Sequence, residues 1–187
     1  MDKELEQCVR RLIEHTGDPE LDRPGLAATP ARVVRSYATL YSGYQINVEQ
    51  LIAQALFREE GADEMVIVRD IEFFSMCEHH MLPFFGRAHI GYVPHRGVIL
   101  GLSKLARVLE AFARRLQVQE RICSQVANAL CQSSLNPLGA GCVIEATHLC
   151  MVCRGVQKQH AKTITSAMHG VFLDKPECRA EFLSFIK

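Results

Sequence analysis

A cysteine and a histidine separated by two residues, Cys77 and His80, can be directed by one tight turn at a single metal ion. A second cysteine, Cys150, belongs to an apolar run that predicts a strand, and it could close the site from another element. Two thiolates and an imidazole without an evident fourth ligand favour zinc with an open position for a reactive water. The Cys-x-x-His spacing is weak by itself, because eight cysteines in 187 residues also produce such pairs by chance.

Two further histidines flank these candidate ligands. His79 is adjacent to His80, and His148 lies two positions before Cys150. On a strand, positions i and i+2 share a face, so His148 and Cys150 would point to the same place. Cys153 would lie on the opposite face of that strand and is the weaker candidate ligand. The pattern therefore favours a catalytic metal site over a purely structural one.

Composition narrows the class of protein. The chain of 187 residues is 48% hydrophobic and 22% charged, which is typical of a folded domain rather than a disordered segment. A formal net charge of zero argues against nucleic-acid binding. The first residues contain no apolar run of signal-peptide length, and no run approaches the ~18 apolar residues of a membrane span. We therefore expect a cytoplasmic protein with no membrane partner and with reduced cysteines.

The elements that must position these residues form an α+β pattern: helices, two strands, helices, two strands and a closing helix. We expect an N-terminal helical region over residues 1–60 and a catalytic domain over residues 61–187. The four predicted strands form an antiparallel sheet and cover residues 65–74, 87–93, 142–151 and 162–172. Such a sheet has two open edges, and pairing them with neighbouring subunits would give a ring.

Four sequence blocks resemble the GTP cyclohydrolase I family: Cys-Glu-His-His at 77–80, Gly-Leu-Ser-Lys-Leu-Ala-Arg at 101–107, Gln-Val-Gln-Glu-Arg at 117–121, and His-Leu-Cys-Met-Val-Cys-Arg-Gly-Val at 148–156. The resemblance implies the tunnelling fold, a four-stranded antiparallel sheet with helices on one face. It also implies a homodecamer of two stacked pentamers, with active sites where subunits meet. Members of this family catalyse the first step of pterin and folate synthesis.

The resemblance also assigns the chemistry. Cys77, His80 and Cys150 match the zinc ligands, and zinc would activate the water that attacks C8 of the guanine base of GTP. His79 and His148 match the catalytic histidines, which can donate or accept protons near neutral pH. Ring opening releases formate, and the rearranged ribose then closes onto the base to give 7,8-dihydroneopterin triphosphate.

Substrate binding is assigned to polar residues on several elements. Glu120, with Gln119, would recognise guanine, because a carboxylate can accept hydrogen bonds from N1–H and the exocyclic amine, which adenine does not offer. The other assigned residues would bind the triphosphate, with one arginine coming from a neighbouring subunit. They are Lys104, Arg107 and Arg154, with Ser103 nearby, and Arg32 as the residue from the neighbour.

Three features of the sequence depart from the family pattern. The segment 95–100 is one residue longer than expected, Ala161 replaces a serine, and Cys153 replaces a small residue or methionine.

Two other functions stay open. One alternative is a non-catalytic paralogue that binds a pterin or nucleotide, against which the intact histidine pair argues. The other is a related tunnelling-fold enzyme acting on another purine or pterin, against which the triphosphate-binding residues argue.

Overall fold

The computed structural model describes residues 3–187 and divides them into two compact units, the first ending at Ser42. The first unit is helical and contains α1 (Lys3–His15), α2 (Pro24–Ala27) and α3 (Thr29–Leu40). Helix α1 ends two residues before Gly17, whose φ of 78° is in the left-handed region that ends helices. None of the helices between residues 3 and 187 combines the length and apolar character that crossing a bilayer requires.

The second unit runs from Gly43 to Lys187 and contains the sheet. After a 3-10 turn at Ser42–Gln45, its helices are α4 (Val48–Ala53), α5 (Ser103–Ala113), α6 (Gln119–Gln132), α7 (Leu149–Val152), α8 (Val171–Asp174) and α9 (Pro176–Phe185). Its strands are β1 (Leu56–Arg58), β2 (Val66–Cys77), β3 (Pro83–Val93), β4 (Val98–Leu100), β5 (Leu116–Gln117), β6 (Gly139–His148) and β7 (Thr163–Gly170). Helix α4 and strand β1 thus belong to the second unit, and the division into a helical region over 1–60 and a catalytic domain over 61–187 stays a prediction.

The α+β fold class is confirmed, and the sheet is extended by one strand. Strands β2, β3, β6 and β7 form the expected antiparallel sheet in that order. The correction is β5, a two-residue strand that pairs in parallel with the end of β2, where Cys77 lies opposite Gln117. Strands β1 and β4 form a separate two-stranded sheet. A two-residue strand has no periodicity to predict, which explains its omission.

The ends of two strands differ from expectation at the residues that matter for chemistry. Strand β2 continues to Cys77 and β3 already begins at Pro83, so the histidine pair lies in a tight turn. Strand β6 ends at His148, and Cys150 lies in the one-turn helix α7. The prediction that His148 and Cys150 share a strand face is therefore wrong, since the backbone turns into a helix between them.

Helices α5 and α6 cover one face of the sheet, but the expectation of helices on one face alone is corrected by α8 and α9, which pack on the other. Residues from α5 and α6, such as Val108 and Ile122, share one core with Ile90 of β3 and are fully buried.

On the opposite face, α8 and α9 cover one part of the sheet, where Phe172 and Phe182 pack against Val143. The part of that face near the end of β2 is open: Phe74 is 53% exposed, whereas Phe73, on the covered side, is 3% exposed. The helices and the sheet thus fix the ends of β2 and β6, where the candidate site lies.

Candidate active site

The turn after β2 is built to hold two side chains on one side. The carbonyl of Cys77 accepts hydrogen bonds from the amides of His80 at 3.4 Å and Met81 at 2.8 Å. The amide of Cys77 donates to the carbonyl of Leu82 at 2.9 Å, which closes the turn. Met81 has a φ of 52°, a left-handed conformation that is uncommon for a residue with a side chain. These constraints present Cys77 and His80 toward Cys150.

The structure brings the three predicted metal ligands together. One ligand atom from each of Cys77, His80 and Cys150 lies within 4.8 Å of the others, and this is the one such group found in residues 3–187. Cys77 Sγ lies 4.0 Å from His80 Nδ1. In a tetrahedral zinc site with Zn–S bonds of about 2.3 Å, ligand atoms are roughly 3.5–3.8 Å apart, so the donor set and its spacing fit zinc. His79 Nδ1 lies 3.9 Å from Cys77 Sγ but does not belong to the group of three.

The electrostatics of this cluster favour a cation. Burial raises the pKa of the Cys150 thiol, and the neighbouring Cys77 raises it further by charge repulsion and hydrogen bonding. A metal ion would relieve that repulsion, since two thiolates can share its charge. Arg154 already lies beside the cluster, with Nη1 donating to His80 Nε2 at 3.2 Å. Arg154 is therefore placed next to the candidate ligands, as its position in the sequence suggested.

His148 is held more firmly than His79. Its ring stacks on buried Phe84, with a centroid distance of 4.5 Å and an interplanar angle of 5°. Its Nε2 lies 2.8 Å from Gln119 Oε1. Burial lowers the pKa of His148, and the carboxylate of Glu120 acts in the opposite direction. Because His79 is exposed in the turn, the two histidines differ in environment as well as in position.

Gln119, which the resemblance assigns with Glu120 to base recognition, is buried with its side-chain amide hydrogen-bonded inside the protein. Its side chain is 1% exposed. Its Nε2 lies 3.0 Å from the carbonyl of Ile144, 2.9 Å from that of Thr163 and 3.1 Å from Thr165 Oγ1. Together with the contact to His148, these bonds engage both ends of the amide within the protein. The Gln119 side chain therefore helps to hold the ring of His148 in place.

An ion pair that was not predicted from the sequence ties the turn after β2 to α6. Arg121 contacts both carboxylate oxygens of Glu78, at 2.5 Å and 3.0 Å. The amide of Glu78 donates to the carbonyl of Gln117 at 3.0 Å, at the end of β5. The hydrogen bond from Arg121 lowers the pKa of Glu78. Both residues fall inside the sequence blocks quoted above, but only the fold shows that they meet.

The predicted substrate-binding residues lie at helix starts and in exposed loops. Ser103, Lys104 and Arg107 occupy the first two turns of α5, and Ser103 and Arg107 are exposed. Glu120 is exposed at the start of α6, next to buried Gln119. Their roles, and those of exposed Arg154 and of Arg32, stay predictions. Arg32 lies in α3 of the first unit, where it donates to the carbonyl of Gly25 at 3.3 Å.

An α+β fold that gathers two thiols, an imidazole and two more histidines at one end of its sheet is typical of a metal-dependent hydrolase. The sequence profile of the GTP cyclohydrolase I family matches residues 5–187. The chain therefore belongs to the GTP cyclohydrolase I family of enzymes, which confirms the resemblance drawn from the four sequence blocks.

Individual relatives agree with that assignment. The chain is 56% identical over 184 residues to GTP cyclohydrolase 1 of Chlorobium chlorochromatii, covering 98% of this chain and 80% of the relative. It is 50% identical over 186 residues to GTP cyclohydrolase 1 of Campylobacter jejuni, covering 100% of this chain and 96% of the relative. Among solved structures, the apo archaeosine synthase QueF-Like has a TM-score of 0.47 at 12% identity, covering 60% of this chain and 97% of that protein.

Proposed function

We propose that this protein hydrolyses the imidazole ring of GTP, releases formate and forms 7,8-dihydroneopterin triphosphate. The observation that carries the proposal is the group of Cys77, His80 and Cys150 beside a held histidine, in a member of the GTP cyclohydrolase I family. Zinc bound by these three residues would act as a Lewis acid and lower the pKa of water to about 7. The two thiols and the imidazole supply the soft and borderline donors that zinc prefers.

His148 and His79 are the residues proposed to move protons. Burial favours the neutral form of His148, so that near pH 7 its ring can accept a proton and return it. Exposed His79, whose Nδ1 lies 3.9 Å from Cys77 Sγ, can protonate N7 as the ring opens. Two histidines in different environments suit a reaction that needs both an acid and a base.

The two ends of GTP would be bound by different elements. Glu120, exposed at the start of α6, would accept hydrogen bonds from guanine N1–H and the exocyclic amine, with selectivity against adenine. Lys104 and Arg107 on α5 and Arg154 near the metal cluster would bind the triphosphate, with Ser103 close by. Arg32 would reach the triphosphate of a neighbouring subunit.

The proposed assembly is a homodecamer of two pentamers in the cytoplasm. The sheet supports ring formation because β7 is an edge strand and β5 covers only the last two residues of β2. Both edges therefore offer backbone groups to neighbouring chains.

Incubation with GTP tests the proposal directly. Purified protein should carry about one zinc per chain, release formate from GTP and produce pterin fluorescence. ATP should give neither product, and removal of the metal with a chelator should abolish both until zinc is restored. GTP binding without formate release, from a zinc-loaded protein, would reject the hydrolase and favour the non-catalytic nucleotide-binding paralogue.

A further inference from the structure

The orientation of the Gln119 side-chain amide is fixed by its partners. Its Nε2 lies within 3.1 Å of three oxygens, two of which are the backbone carbonyls of Ile144 and Thr163. Carbonyl oxygens can only accept hydrogen bonds, so the nitrogen of the amide must face them. A flipped amide would place oxygen against oxygen in a site that is 1% exposed. The Oε1 atom of Gln119 therefore points to the other side, toward His148.

This orientation determines which nitrogen of His148 carries a hydrogen. Gln119 Oε1 lies 2.8 Å from Nε2 of His148 and can only accept. Nε2 must then be the donor, and in the neutral ring Nδ1 keeps its lone pair. The stack on Phe84 fixes the plane of the ring. Together, the stack and the hydrogen bond allow one position and one tautomer.

We propose that Gln119 is a positioning residue, which holds His148 as the Nε2–H tautomer so that Nδ1 is the ring nitrogen presented to the substrate. Gln119 is itself hydrogen-bonded to β6 and β7, so the position of that strand pair determines where the His148 ring is held. This inference rests on the proposed function, and it gives the side-chain amide of Gln119 a role beside the base recognition assigned to this segment. Glu120 remains the exposed side chain proposed to bind the base.

A double-mutant cycle separates positioning from substrate binding. Gln119→Leu should lower kcat for formate release by about 10–100-fold, the range seen for residues that orient catalytic or ligating histidines, and change KM by less than about twofold. In a His148→Ala background, Gln119→Leu should add almost no further loss, because its effect acts through the missing ring. A raised KM with unchanged kcat, an unchanged kcat, or losses that multiply would overturn the proposal.

Thr165→Val is the matched control. It removes one of the three oxygens around Gln119 Nε2 but leaves the two carbonyls that fix the amide. Its kcat should stay within about twofold of wild type. Zinc content and thermal unfolding of every variant show whether a lost activity reflects an altered fold.

A measurement on wild-type protein without substrate provides the second test. ¹⁵N NMR of zinc-loaded wild-type protein labelled at histidine should show His148 protonated at Nε2, with the resonances assigned by their disappearance in His148→Ala. Protonation at Nδ1 would overturn the inference by itself. The two failures are distinguishable: wild-type protein that releases no formate from GTP overturns the proposed function, whereas the wrong tautomer overturns the role of Gln119.

Discussion

At the scale of single residues, Cys150 reaches the metal cluster from a helical turn, and this position separates it from Cys153. We predict that Cys77→Ser, His80→Ala and Cys150→Ser each lose zinc and activity, because each removes one of three donors. Cys153→Ala is the control, since its exposed thiol donates to the carbonyl of Leu149 instead. Metal analysis of the purified variants decides this. Loss of zinc in Cys153→Ala with retention in Cys150→Ser would refute the ligand set.

His79 offers a second residue-scale prediction, because it lies as close to Cys77 as His80 does. His79→Ala should keep zinc, since the group of three does not include it, but should lower formate release by ~10²–10⁴-fold through loss of acid–base help. Zinc content and kcat measured on the same preparation test both halves. A variant that loses its zinc would make His79 a ligand rather than a catalytic residue.

The residues assigned to the two ends of GTP lie on different helices, which makes their effects separable. Lys104→Ala and Arg107→Ala on α5 should raise KM strongly for GTP but little for guanosine, because the lost partners are phosphate oxygens. Glu120→Ala on α6 should impair both substrates, since both carry guanine. Steady-state kinetics with the two substrates provide the comparison. Equal effects of the α5 variants on GTP and guanosine would refute the triphosphate assignment.

At the scale of elements, the ion pair between Glu78 and Arg121 joins the turn after β2 to α6. Because Arg121 lowers the pKa of Glu78, the pair stabilises the fold fully above the ordinary glutamate pKa of about 4.3. That stabilisation is lost as the pH falls through the lower pKa of the folded state. The difference in free energy of unfolding between wild type and Glu78→Gln should therefore be constant near neutral pH and vanish in acid. Denaturant unfolding at several pH values measures this difference in free energy. A difference that grows in acid would contradict the stabilising role of the ion pair.

The elements also show which parts of the structure could be predicted from the sequence. Periodic apolar residues were enough to predict the main helices and the four antiparallel strands. The end of β6 was missed because the apolar run continues through Leu149–Val152, so hydrophobicity gives no sign of the change from strand to helix. The ligand set was predicted because its spacing is local at Cys77 and His80. The contacts of Gln119 and Arg121 were not, because their partners are distant in sequence.

At the scale of the whole molecule, the open edge of β7 predicts assembly. Alternate amides of an unpaired edge strand point to solvent, whereas pairing with a neighbour would protect them all. We expect light scattering to give the mass of ten chains, and hydrogen exchange to be slow along the whole of β7. The mass of a single chain, with fast exchange at alternate positions of β7, would reject the ring.

The three candidate ligands also join parts of the chain that are far apart, since roughly 70 residues separate Cys77 from Cys150. A zinc ion there would be a removable cross-link between the turn after β2 and the end of β6. The contribution of zinc to the free energy of unfolding grows with the concentration of free zinc, to about 2.7 kcal/mol when that concentration is 100 times the dissociation constant. In a zinc-poor cell the protein would therefore lose lifetime against proteolysis together with its activity, and the ion that serves the reaction would also set how long the enzyme survives.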